Sequence, residues 1–219
     1  MLPAISRTSS RTSFAAGRAT QSGFTLIEAL IAAVILAIGV LGVVSLLTMS
    51  KVAQHEGIQR VRAVALADDM VERIRRNPGG MDIYNNVDLA NPLGGNTIDE
   101  TPDPDCRAVV CDDPDGADLA NFDLWAWEQL LDGRAVTFDD GGAATPALGM
   151  RNIRGCIDFE ADGAARPNTG IVDVVVQWQG LQETSDAVAS GGISCGTAGA
   201  EDKTWRQVVV SSYLIDETE

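Results

Sequence analysis

The spacing of hydrophobic positions shifts along the chain. From Ala29 to Leu47 no side chain is charged and only Ser45 is polar, a run of 19 residues. As a helix it would span roughly 28 Å, close to the ~30 Å hydrocarbon thickness of a bilayer. From Lys51 to Arg76 there is no proline, and apolar residues recur at Ile58, Val61, Ala65, Met70, Val71 and Ile74. That approximates the three-and-four spacing of a helix with one buried face. Asn77-Pro78-Gly79-Gly80 ends the pattern, and Arg73, Arg75 and Arg76 precede it, suited to a helix's negative C-terminal end. In the last third the period drops to two. Ile153, Ile157 and Phe159 alternate with Arg154, Asp158 and Glu160, and Val172, Val174, Val176 and Trp178 share a side opposite Asp173, Gln177 and Gln179.

Residues 81–118 read as loop, with Asn91-Pro92, Gly94-Gly95, Pro102, Pro104 and Pro114. Asp118 to Asp132 predicts a short helix, with Asp118 as N-cap, Leu119, Phe122, Trp127 and Leu130 as its apolar side, and Gly133 at the exit. Trp125 and Trp127 sit too close in sequence to share a face, so one packs and the other is a contact candidate. A further loop fills 139–151. Trp205 to Ile215 is a third strand, apolar on both sides, and Arg134 to Phe138 a fourth. The fold class is α+β, with a long N-terminal helix, transmembrane in its first half, packed on an antiparallel sheet of about four strands. The segments are a leader (1–23), a membrane helix (24–50), its amphipathic continuation (51–80), a loop-rich region (81–152) and a sheet region (153–219).

Charge narrows the function. The leader holds three of the 16 basic residues (Arg7, Arg11, Arg18) and none of the 31 acidic ones, so the chain after Gly23 has 13 against 31, a net charge of about −18. That balance is unsuited to tracking a phosphate backbone, and no nucleic-acid partner is expected. The basic leader should stay in the cytoplasm while the acidic bulk crosses the membrane.

Cys106, Cys111, Cys156 and Cys195 all fall on the translocated side. In an oxidising compartment they read as disulfides, and their spacings lack the paired C-x2-C of zinc sites. Of three possible pairings, the favoured one closes a small loop with Cys106–Cys111 and a large one with Cys156–Cys195. Cys156 lies on the polar side of its strand, so the second bridge would pin the Gly/Ser/Ala-rich connection 181–204 to the sheet's outer face. His55 is the sole histidine, which removes His-based triads and His-rich metal sites. Asp103, Asp105, Asp112, Asp113, Asp115 and Asp118 crowd one stretch. An EF-hand register would put Cys111 at its first place and Phe122 at its twelfth, so the stretch reads as a solvated acidic loop. No catalytic residue, cofactor or metal ligand is expected.

The beginning of the apolar run carries the functional information. In an ordinary secretory signal the cleavage site follows the apolar stretch, which is then discarded. Here the plausible cut, between Gly23 and Phe24, precedes it and leaves the helix on the product. Glu28 would then lie four residues from a new amine on Phe24. A carboxylate at mid-bilayer costs about 2.5–3.5 kcal/mol on insertion scales, and less near an interface. Pairing with the amine of a neighbouring subunit in a low-dielectric bundle would offset that cost and set registry.

Gly23-Phe24-Thr25-Leu26-Ile27-Glu28, followed by Ala29-Leu30-Ile31-Ala32-Ala33-Val34-Ile35-Leu36, resembles the class III signal of type IV pilins and type II secretion pseudopilins. Ile38-Gly39-Val40-Leu41-Gly42, the segment Ala65 to Pro78 and Tyr84 further resemble the PilV minor pilins, often labelled type IV pilus modification proteins. The resemblance covers about residues 23–84. It implies a pilin-like fold, cleavage between Gly23 and Phe24 by prepilin peptidase, N-methylation of Phe24, and Glu28 as the assembly residue. It also implies a single pass through the bacterial inner membrane with a periplasmic domain, and a place at the pilus base or tip after assembly. The implied partners are other minor pilins, the major pilin and the inner-membrane assembly platform. The implied role is priming of pilus assembly in support of twitching motility and adhesion. A type II secretion minor pseudopilin and a pilus-tip adhesin or receptor subunit are the alternatives.

Overall fold

The computed structural model describes residues 23–111, 113–134, 137–139, 144–146, 150–184, 191–196 and 203–217. The leader before Gly23, Asp112 and parts of the connections 139–151 and 181–204 lie outside the described residues. By compactness the chain divides into residues 1–48 and 49–219.

In the first unit the described part is the start of helix α1 (Leu26–Arg76). Thr25 caps it: the Glu28 amide donates to Thr25 Oγ1 at 3.3 Å and to the Thr25 carbonyl at 3.1 Å. From Phe24 to Lys51 all side chains are exposed. This is the one described helix long and apolar enough to cross a membrane.

In the second unit, α1 buries Ala63, Leu66, Ala67, Met70, Val71 and Ile74. A 3-10 turn (Pro78–Gly80) and the short α2 (Met81–Tyr84) follow, then α3 (Ala117–Leu131). Strands β1 (Thr137–Asp139) and β2 (Ala144–Pro146) form a separate two-stranded ribbon. Strands β3 (Arg154–Ala161), β4 (Gly170–Gln179) and β5 (Trp205–Leu214) form an antiparallel sheet in the order β3-β4-β5. Ile157 pairs with Val174 and Val174 with Val210, which puts Ile157, Val172, Val174, Val176 and Trp178 into one core with the buried face of α1.

The architecture is α+β and pilin-like. The sheet has three strands, not about four. Of the segment expected as a fourth, Thr137 and Phe138 belong to the β1–β2 ribbon, where β1 pairs with β2, and residues 135–136 lie outside the described residues. The edge of β3 is bridged instead by the loop before α3: Leu93 and Gly155 exchange backbone hydrogen bonds, and the Ile157 amide donates to the Val87 carbonyl.

Two helix faces also differ from expectation. Met70, Val71 and Ile74 are buried as expected, but Ile58 and Val61 are 67% and 72% exposed, and towards the N-terminus the packed stripe continues through Ala67, Leu66 and Ala63 instead. In α3 the buried side is Ala120, Asp123, Leu124, Trp127, Glu128 and Leu131. Leu119, Phe122 and Leu130 lie beside it, because the buried positions 120, 124, 127 and 131 are in register with Trp127. The N-cap of α3 is Gly116, not Asp118: at φ 67° Gly116 adopts a left-handed turn, and Asp113 Oδ2 accepts from the Ala117 and Asp118 amides at 2.6 and 3.2 Å. Trp127 fixes α3 against both layers. Its indole donates to the Leu66 carbonyl at 2.9 Å, and its ring lies where a Cβ on Gly155 would fall, 2.3 Å away.

Candidate functional site

Gly23 and Phe24 sit outside regular structure immediately before α1, with Phe24 77% exposed. Thr25-Leu26-Ile27-Glu28 has the spacing of a capping box, so Glu28 occupies the third helical position, near the positive end of the helix. That signal was present in the sequence and bears on how Glu28 is read. A carboxylate here favours the start of the helix in any chain, before intermolecular pairing is considered. What the cap does not use is the apolar surface beyond it. Leu30, Ile31, Val34, Ile35, Leu41 and Val44 are each more than half exposed. Such a surface is stable only against lipid or other apolar helices.

The second unit carries a polar node that sequence reading missed. Asp123 of α3 is 7% exposed, and Arg73 Nη1 and the Tyr84 hydroxyl donate to its two oxygens at 2.9 and 2.8 Å. Arg73 Nε also bonds Asp69 Oδ2 at 2.8 Å, while Asn77 Nδ2 donates to the Gly116 carbonyl at 2.7 Å and to Tyr84 at 3.3 Å. Arg73 and Tyr84 therefore meet on one residue of α3, with Asp69 behind the first and Asn77 behind the second. Burial, and then the Asp123 charge, push the Tyr84 phenol well above its ordinary pKa and keep it a donor. The only sequence signal was an acid and a base four apart on a helix.

Glu128, fully buried, forms a second node. It accepts the amides of Gly94, Thr97 and Ile98 at 3.0, 2.5 and 2.7 Å, and Asp132 takes those of Gly95 and Asn96. A loop with few side chains to bury is thus held on α3 by backbone donors.

The cysteines pair as Cys106–Cys111 and Cys156–Cys195, with Cα atoms 5.5 and 5.8 Å apart. Cys156 and Cys195 lie with Val175 in a small cluster apart from the main core, against Leu89 and Ile193. Among the described residues no group of acids, histidines or cysteines is arranged to hold a metal ion. His55 is exposed on α1 and contacts Gln59.

The comparisons agree with this arrangement. A prokaryotic N-terminal methylation motif matches residues 18–44, across the Gly23–Phe24 junction and the apolar helix. A second family model, Tt1218-like, described as type IV pilin Tt1218, matches residues 46–125, from the end of the apolar run through most of α3. The chain is type IV pilin-like. No curated protein and no solved structure matches it. The pilin family is a structural one, and the methylation motif implies processing by prepilin peptidase and assembly with other pilins. The apolar helix and the motif together fit a pilin anchored in the inner membrane.

Proposed function

We propose that this pilin-like chain is a minor pilin of the PilV kind, which takes part in priming type IV pilus assembly at the inner membrane and so supports twitching and adhesion. In this reading residues 1–23 are removed by prepilin peptidase, Phe24 is N-methylated, and Glu28 neutralises the Phe24 amine of a neighbouring subunit. The basic leader stays in the cytoplasm and the acidic domain faces the periplasm, where it meets other minor pilins, the major pilin and the assembly platform.

The observation that carries the reading is the position of Glu28, in the first turn of an exposed apolar helix that continues to Arg76. Snorkelling to the headgroups would relieve the carboxylate but set no registry, whereas an intermolecular amine does both. The PilV assignment leans on the 65–84 segment, of which Arg73 and Tyr84 bond Asp123.

Intact mass of the membrane-purified chain tests processing: the expected product lacks residues 1–23 and carries one added methyl group, and a chain that keeps its leader overturns the reading. Glu28→Ala tests assembly. Membrane insertion should persist while surface pili fall. Normal piliation with lost protein secretion would point to a type II secretion pseudopilin instead.

A further inference from the structure

Phe122 and Trp125 lie off the buried side of α3, with ring centres 5.6 Å apart. The Arg107 guanidinium sits 4.8 Å over the Trp125 ring and 5.9 Å from the centre of Phe122. Asp105 holds it through Nε and Nη2 at 2.9 and 2.8 Å. The segment carrying Arg107 is closed by the Cys106–Cys111 disulfide, and the Cys106 sulfur lies 3.8 Å from the Asp118 carbonyl at the start of α3. Cation, rings and loop are therefore fixed together before any partner arrives.

The same closed loop holds Val109 52% and Val110 84% exposed. Two adjacent valines kept in water by a covalent ring gain nothing for the fold. In sequence they are flanked by Asp103, Asp105, Asp113, Asp115 and Asp118, with Arg107 the only basic residue between positions 103 and 118. Asp105 is used by Arg107, and Asp113 by the α3 terminus. Asp103, Asp115 and Asp118 have no cationic partner among the described residues.

We propose that the patch of Arg107, Val109, Val110, Phe122 and Trp125 docks a different protein subunit of the pilus, whose apolar centre covers the valines and ring edges and whose lysines or arginines face Asp103, Asp115 and Asp118. A rigid cluster of Trp, Phe and Arg has the composition of an interface hot spot, and its prior fixation lowers the ordering cost of binding. The acidic rim selects the partner's charge and speeds encounter. It also repels a second copy of this chain, whose net charge after Gly23 is about −18. The proposal deepens the assembly reading and rests on it.

The test uses the full chain in pilus-producing cells, with a photoreactive benzoylphenylalanine at position 110 and, as control, at position 166. The expected result is an adduct from position 110 alone to another pilus subunit, mapped by mass spectrometry to an apolar segment flanked by lysine or arginine. Combined Asp103→Lys and Asp115→Lys substitutions should cut its yield by roughly tenfold, with both disulfides intact by mass. Absence of an adduct, one only to lipid or to another copy of this chain, or a yield indifferent to charge reversal would each overturn the proposal. Such a result beside pili that still depend on Glu28 would sink the patch and leave the assembly reading standing.

Discussion

The Tyr84 hydroxyl donates to Asp123 Oδ2 at 2.8 Å while Arg73 Nη1 occupies Oδ1 at 2.9 Å, so one buried carboxylate joins the end of α1, α2 and α3. Removing one donor and removing the acceptor should differ in cost. Tyr84→Phe deletes one hydrogen bond to a charged group, about 1.5–3 kcal/mol. Asp123→Ala also strands the phenol and half of the Arg73 pairing, and is expected to cost about 3–5 kcal/mol. Thermal unfolding of the detergent-solubilised chain checks the order. Equal losses would mean that the node acts through Tyr84 alone, and a double-mutant cycle would then show the two changes together costing no more than either one.

Gly155 is the place where the sheet admits Trp127. A Cβ there would fall 2.3 Å from the Trp127 ring and 3.0 Å from Leu131. Gly155→Ala should therefore destabilise by about 1–3 kcal/mol through overpacking, although alanine suits a strand better than glycine in general. The paired change Gly155→Ala with Trp127→Phe, which frees space but gives up the bond to Leu66, should not restore the loss in full. A wild-type melting temperature in the single variant would show that Trp127 is free to shift.

The fold was legible where one physical signal dominated. A run of uncharged residues, two period-2 strands and an Asn-Pro-Gly-Gly stop each have few alternative readings. Local periodicity placed Met70, Val71 and Ile74 on the packed side of the 51–76 helix but misjudged the positions before them. Ile58, Val61 and Ala65 are as well spaced as Ala63, Leu66 and Met70, and the position of the sheet selects the second set. The same limit applied to α3, whose buried face includes Asp123 and Glu128. Those acids are buried because distant residues supply donors: Arg73 and Tyr84 for one, the backbone of 94–98 for the other. Chemistry assembled from separations of 30 to 50 residues leaves no mark in a local window. The candidate site was proposed from the reverse situation, since Gly23, Phe24 and Glu28 lie within six residues of one another.

Asp158 should oppose folding at neutral pH. It pairs across the sheet with Asp173. Burial first, then the charges of Asp173, Glu160 and Asp88, raise its pKa above the usual carboxylate value. A carboxyl with a raised folded-state pKa weakens the fold while ionised, and that penalty fades as pH falls through the folded value and vanishes below the unfolded one. Asp158→Asn is accordingly expected to raise the melting temperature at pH 7, with the advantage shrinking in acid. An advantage that grows towards low pH would contradict the sign.

Asp113 should act the other way. Its hydrogen bond with Asp115, followed by the Asp118 and Ala117 amides, lowers its pKa against the opposing effect of burial. Its contribution is present above the unfolded pKa and is lost as pH falls through the depressed folded one. Asp113→Ala should fray the start of α3 at neutral pH and matter little in strong acid. Amide exchange at Ala117 and Asp118 reads this directly, and equal protection in variant and wild type at pH 7 would assign the cap elsewhere.

The two disulfides should separate in their effects. Cys156–Cys195 closes a loop of sequence separation 39, and Cys106–Cys111 one of 5. Chain-entropy arithmetic gives about 4 kcal/mol for the first and about 2 kcal/mol for the second. The larger bridge also holds the 191–196 segment against the sheet, where Gln177 and Gln207 both donate to the Ile193 carbonyl at 2.9 and 2.6 Å. Replacing Cys156 and Cys195 by serine is therefore expected to lower global stability and open the 181–204 connection to proteases. The same change at Cys106 and Cys111 should leave the melting temperature nearer wild type but release Arg107 from Trp125, seen as altered tryptophan fluorescence. If loss of the short bridge destabilised the chain more than loss of the long one, loop closure would not be what these bonds contribute.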